Sequence, residues 1–421
     1  MQSSIKLRLT VMNFLQFAVW GAYLTSMGRY LGTAGFGSEI GNFYAMQGLV
    51  SLFMPALMGI VADRWIPAQR LLGLCHLLSG MLMLGVFNYT QTDAPSYPTL
   101  FALYSLSVAF YMPTLALSNS VAYTSLDQAG LDLVKSFPPI RVFGTVGFIC
   151  TMIAVSLLGL EATSGQFAVS AIISLVLAVY AQTLPNCPTA PKGQSKSLVE
   201  ALGLRAFVLF KQRKMALFFI FSMLLGVSLQ ITNGFANPFI STFGEIPAYA
   251  DTFGVKYANI LISLSQLSET LCILLIPFAL RRFGIRRVML IAMVAWVLRF
   301  ALLGLGNPGS GVWLFLLSMI VYGVAFDFFN VSGSLFVDKE TDPSIRSSAQ
   351  GLFMIMTNGI GATLGSLGAQ AVINHFVYSE HDTTAILAGW SMSWYIFATY
   401  AAVVAVLFAL LFRYNTATEA K

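Results

Sequence analysis

KYANILISLSQLSETLCILLIPFALRR, residues 256–282, is an apolar run with a single charge inside it. Lys256 and Arg281 bracket a segment of the length that crosses a bilayer as a helix, and Glu269 falls beside its midpoint. A carboxylate at the centre of a span costs roughly 2.5–3.5 kcal/mol even on the lenient insertion scale, so a functional role is the default hypothesis for it. Gln266 lies one turn earlier on the same helical face. The two read as a polar binding and protonation point buried at mid-membrane. The competing structural role for Glu269 is an ion pair with Arg299, a basic residue left within another span.

The rest of the chain has the same character. Of its 421 residues, 57% are hydrophobic and only 10% are charged, whereas a soluble domain carries about 25% charged residues. With a mean hydropathy of +0.77, this is the composition of a polytopic all-α membrane protein. About twelve helices fit at about 20 residues per span. We expect them at 9–31, 41–62, 70–89, 98–123, 138–160, 166–184, 215–239, 257–280, 288–305, 312–336, 347–374 and 388–412. The first run is span-length and lacks a small-residue cleavage site, so it is expected to remain as a span. Basic residues cluster in the turns at Arg64–Arg70, Arg281–Arg287 and Lys339–Arg346 and in the stretch 185–214, all on one side, while the other side receives only Arg29 and Lys256. The net charge of +6 is therefore a positive-inside signal placing both termini in the cytoplasm, not a sign of nucleic-acid binding.

The polar stretch 185–214 divides the chain into an N-terminal six-helix bundle (1–184) and a C-terminal one (215–421). Its first half is Pro/Ser/Lys-rich linker, and its second half has the pattern of a short amphipathic helix lying on the membrane surface. The halves carry traces of one repeat. Tyr111 is followed eight residues later by Asn119, and Tyr322 eight residues later by Asn330; PPIR at 138–141 then matches PSIR at 343–346. The basic turn Asp63–Arg70 has its counterpart at Arg281–Arg287. Three matches in the same order point to parallel repeats related by an axis along the membrane normal.

Polar and aromatic residues share helical faces in several spans. Arg141, Thr145 and Phe148 are spaced i, i+4, i+7; Gln230 and Asn233 lie mid-span; Tyr322, Phe326 and Asn330 form a stripe with Asp327 one residue off it. The first span adds Asn13, Gln16, Trp20 and Tyr23. Amides offer a donor and an acceptor together, and aromatic rings stack on bases at about 1–3 kcal/mol each. The set suits a ligand with a flat ring and a hydroxyl-rich part. The bland alternative is helix-to-helix hydrogen bonding, at about 0.6 kcal/mol per pair. Arg141 also fits an anchor near the cytoplasmic surface, and Asp327 a structural partner of Arg299. His76, His375 and His381 pair with no second histidine or carboxylate at metal spacing, and Cys75, Cys150, Cys187 and Cys272 show none either. No P-loop and no Ser/His/Asp arrangement is present. Neither an enzyme nor an ATP-driven pump is expected, and neither a metal nor a cofactor.

Gly59-x-x-x-Asp63-Arg64 with Arg70 resembles the loop signature of the major facilitator superfamily, with Trp65-Ile66-Pro67 where its glycine would stand. We read these three charged residues as a gating turn whose charges pair in one conformation and release in the other. FPPIRVFGTVGF (137–148), FSMLLGVSLQITN (221–233), SLSQLSETLCIL (263–274) and SMIVYGVAFDFFNVSGSLFV (318–337) closely resemble the bacterial nucleoside–proton symporters of that superfamily. The resemblance covers about residues 5–412. It implies a proton-coupled nucleoside importer of the inner membrane, working as a monomer by alternating access, with the proton as coupling ion. It places substrate binding on Arg141, Thr145, Phe148, Gln230, Asn233, Gln266, Glu269, Tyr322 and Phe326, and proton coupling on Glu269 and Asp327. The family holds broad nucleoside carriers and others that also accept xanthosine; residues 116–149 lean toward the latter. A sugar symporter or a drug/proton antiporter on the same scaffold is the alternative reading.

Overall fold

In lipid the backbone must satisfy its own polar groups, as helices or as a closed barrel, and the long runs of Leu, Ala, Phe, Met and Val among the described residues do so as helices. The computed structural model describes residues 2–189, 204–343 and 345–414, and these contain helices, turns and loops but no strand. The long helices are α1 (Gln2–Gly21), α2 (Ile40–Ser51), α3 (Met54–Arg64), α4 (Ala68–Tyr89), α5 (Tyr97–Gln128), α6 (Leu133–Leu157) and α7 (Gly165–Tyr180). After the linker come α8 (Arg213–Leu229), α9 (Ile231–Thr242), α10 (Ala258–Leu305), α11 (Val312–Glu340), α12 (Ala362–Phe376) and α13 (Thr383–Leu411). Ten stretches of the described residues are helical, long and apolar enough to cross a membrane. The longest, α10, is two arms folded back at Gly284, whose φ of 75° and ψ of 164° are open only to glycine. A hydrogen bond from Arg299 to Ser265 across the fold confirms that the arms run antiparallel.

Packing groups the helices into two units: residues 2–30 with 49–189, and residues 31–48 with 204–414. In the first unit α1 lies against α6, and α4 against α5 and α7. Leu9, Met12, Leu72, Val121 and Leu177 are fully buried there. The α1–α6 crossing is a backbone contact: a Cβ at Gly147 would overlap the carbonyl of Phe14, and one at Gly21 would overlap the backbone of Phe148. Small residues permit such approach where no hydrophobic driving force draws helices together.

In the second unit α10 packs on α11 and α13, and α8 on α12 and the π-helical turn Ile355–Gly361 before it. Residues 31–48 belong here because they are tied to α12. Gln370 accepts from the Gly41 N–H and donates to the Gly37 carbonyl at 3.0 Å; Asn374 donates to the Ser38 carbonyl at 3.2 Å.

Local structure departs from the sequence expectations in four places. The first expected span, 9–31, is broken by turns at residues 22–26. The second is interrupted before Pro55, at Leu52 and Phe53. The fifth begins at Leu133 rather than 138, because the Asp132 carboxylate accepts from the Lys135 N–H and starts the helix ahead of Pro138. The seventh breaks at Gln230, between α8 and α9. Of the linker, residues 190–203, with Lys192 and Lys196, lie outside the described residues. Leu204–Lys211 is a 3-10 helix whose Phe207 and Phe210 stack, Phe210 stacking in turn on Phe219 of α8.

Candidate substrate and proton site

In the first unit the polar residues of α1 are not scattered. Gln16 is fully buried; its Nε2 donates to Thr114 Oγ1 at 2.7 Å, and its Oε1 accepts from His76 Nε2 at 2.8 Å. His76 Nδ1 lies 2.9 Å from Ser174 Oγ, and the Tyr111 hydroxyl donates to the Gln16 carbonyl at 2.9 Å. The network ties α1, α4, α5 and α7 together. It backs an aromatic wall in which Trp20 meets Tyr111 at 6.0 Å and the edge of Phe148 at 6.4 Å. On α6 the Arg141 guanidinium sits 4.1 Å from the centre of the Phe17 ring, a cation–π contact. Thr145 follows one turn later, half-buried, and Phe148 is buried. The expected stripe Arg141–Thr145–Phe148 thus lies along the α1 side of α6.

His76 was legible in the sequence only as an isolated histidine. Its partners are 60 and 98 residues away, so no local spacing marks it. Asn13, by contrast, only bonds back to the Leu9 carbonyl of its own helix.

In the second unit the break between α8 and α9 falls on Gln230 itself, and Asn233 donates to its side-chain oxygen at 2.8 Å. Discontinuous membrane helices expose backbone and side-chain polar groups where ligands bind. Gly234 packs on the Tyr44 ring, and buried Asn237 and Asn259 bond to each other at 2.9 Å, fixing α9 to α10. Gln266 and Glu269 are half-buried on α10. On α11, Tyr322 and Phe326 are stacked, centroids 5.6 Å apart at 18°. Asp327 is buried, with Oδ2 making no hydrogen bond. Glu269, Arg299 and Asp327 all act electrostatically on Tyr322, and Glu269 acts on Asp327. Two carboxylates therefore share the electrostatic surroundings of one phenol, itself half of a stacked aromatic pair, an arrangement able to exchange a proton next to a flat ligand.

Arg299 is not the ion-pair partner that the sequence allowed. It forms no salt bridge among the described residues. Its Nη1 donates to the Ser318 carbonyl at 2.8 Å, and its guanidinium lies 4.4 Å from the centre of the Tyr322 ring.

At the gating turn, Asp63 is half-buried and Arg64 and Arg70 are exposed. In the matching turn of the second unit, Arg286 donates to the carbonyls of Phe412 at 2.6 Å and Ala409 at 2.7 Å, closing the end of α13. Among the described residues no group of three or more His, Cys, Asp or Glu could hold a metal ion.

The family model described as Nucleoside H+ symporter matches residues 3–417. Xanthosine permease of Escherichia coli (strain K12) is 49% identical over 98% of this chain and 97% of its own length. Nucleoside permease NupG of the same organism is 46% identical over the same shares. The crystal structure of nucleoside transporter NupG superimposes with a TM-score of 0.89 over 98% of this chain and all of that one. Peptide transporters of the POT family share the fold, at a TM-score of 0.67 and 15% identity.

Proposed function

This chain belongs to the nucleoside H+ symporter family, and from that premise we propose that it carries nucleosides inward across the bacterial inner membrane together with a proton. It is a carrier and not an enzyme. It has the major facilitator architecture and works by alternating access. The twelve-span reading counts the two arms of α10 separately and includes α1. Both termini face the cytoplasm, the two bundles are joined by the 185–214 linker, and the carrier acts as a monomer with the proton as its coupling ion.

The observation that carries the reading is the electrostatic coupling of Glu269 and Asp327 around Tyr322, whose ring stacks on Phe326. A proton arriving from outside binds Glu269, removing the charge of that one carboxylate, and favours closure over bound nucleoside; its departure inside resets the carrier. We assign substrate contact to Arg141, Thr145 and Phe148 in the first unit and to Gln230, Asn233, Gln266, Glu269, Tyr322 and Phe326 in the second. Amides and the guanidinium meet ribose hydroxyls and base edges, and the aromatic rings meet the base face. Asp63, Arg64 and Arg70 form the cytoplasmic gating turn. A proton crossing 100 mV releases about 2.3 kcal/mol, enough for roughly fifty-fold accumulation.

The test is uptake of radiolabelled uridine by cells lacking their own nucleoside carriers, with and without a protonophore, with xanthosine and ribose as competitors. Accumulation that collapses with the protonophore is expected. Competition by xanthosine assigns the subtype, and competition by free ribose but not by nucleosides turns the reading toward sugars.

A further inference from the structure

Arg299 presents an energetic puzzle. Its side chain is 2% exposed, it lies in the second arm of α10, and its Nε makes no hydrogen bond. A buried charge without a carboxylate beside it is costly, and in a membrane helix it marks function. What holds it is specific. Arg299 and Ser318 bond reciprocally: Nη1 donates to the Ser318 carbonyl at 2.8 Å, and the Ser318 hydroxyl donates to the Arg299 carbonyl at 2.9 Å. This pair of hydrogen bonds staples the second arm of α10 to α11 one turn before Tyr322. From that anchor the planar guanidinium covers the Tyr322 ring, 4.4 Å from its centroid. Trp296, one turn earlier than Arg299, meets the same ring edge-on at 5.9 Å and 88°. Phe326 stacks on Tyr322 in turn.

We propose that Arg299 is a positioning residue for nucleoside recognition that acts through Tyr322, clamping the phenol ring so that the Tyr322–Phe326 pair is presented as a rigid aromatic platform. The inference rests on the nucleoside reading above and adds to it a residue that does not itself touch the substrate. A guanidinium suits the role because it is flat, permanently charged and weakly hydrated, so it can bond a carbonyl in its plane while stacking with its face. A lysine keeps the charge and a donor but loses the flat cover.

The experiment is a double-mutant cycle on uridine affinity, measured by calorimetry on the purified full-length protein. Arg299→Lys is expected to weaken binding about fivefold in the wild-type background, the scale of a modest cation–π contact. In a Tyr322→Phe background, where the ring remains, the same loss is expected. In a Tyr322→Leu background, where no ring remains to be clamped, the further loss should be less than twofold, since coupled residues are non-additive. Equal losses in the Leu and wild-type backgrounds, or no loss in either, overturn the proposal. Should Arg299→Lys not yield folded protein, Arg299→Gln replaces it in the same cycle with the same criteria. Wild-type protein that fails to bind any nucleoside overturns the functional reading and this inference together, whereas wild-type binding with additive losses overturns the inference alone.

Discussion

Tyr111 and Tyr322 occupy matching places in the two repeats, and each is buried beside a basic side chain, yet the neighbourhoods differ in kind. Around Tyr111, amide, imidazole and hydroxyls close on one another: Gln16, His76, Thr114 and Ser174 each have a partner, and the phenol itself donates to a carbonyl. Around Tyr322, Asp327 Oδ2 and Arg299 Nε have none, and two carboxylates share the phenol's surroundings. A fully satisfied buried network rigidifies its surroundings, whereas an unpaired buried polar group is costly. The contrast sets a hydrogen-bonded wall around Tyr111 against the two carboxylates around Tyr322 to which we assign coupling.

The largest effect that can break this contrast is loss of accumulation. Glu269→Gln should abolish proton-driven uridine accumulation, removing the roughly fifty-fold gradient that 100 mV supports, while uridine exchange across the membrane persists. Uptake with and without a protonophore decides it, and a variant that still accumulates uridine removes Glu269 from the coupling role. Next come the aromatic rings. Phe148→Ala and Phe326→Ala are each expected to weaken affinity by about 1–3 kcal/mol, read by calorimetry; unchanged affinity in both would discard stacking as the basis of recognition. His76→Leu leaves the side-chain oxygen of Gln16 without its donor and should lower thermal stability by about 1–3 kcal/mol with the pH dependence of uptake unchanged; a shifted pH profile would show that the first unit also handles protons. The smallest effect is a control in the second unit. Asp382 caps α13 by accepting from the N–H groups of Thr384 and Ala385, so Asp382→Ala should cost about 1 kcal/mol of stability and leave protonophore-sensitive uptake intact.

How much of this was legible in the sequence follows from the range of each interaction. Apolar runs and basic turns are local, so most of the spans, the basic turn between 280 and 288 and the carboxylate in α10 could be read directly. Breaks at residues 22–26 and at Gln230 could not, since they interrupt runs that remain apolar on both sides. The prolines at 138 and 139 suggested a helix start, but the cap at Asp132 lies six residues earlier and won. Glu269 and Arg299 carry the same signal, a lone charge in a span. The sequence offered them to each other as an ion pair, because what the guanidinium meets instead is a ring 23 positions further along that only the helix packing brings near. His76 left no signal at all.

Gly284 has one more implication, for length rather than chemistry. The two arms of α10 are joined with no intervening loop, so nothing absorbs an added or missing residue. One residue inserted between Gly284 and Arg299 would turn the guanidinium by about 100° around its helix and carry it off the Tyr322 ring. This part of the chain can therefore drift by exchange of side chains but not by insertion or deletion, and any gene variant that changes its length should forfeit the aromatic platform even when every side chain of that platform is intact.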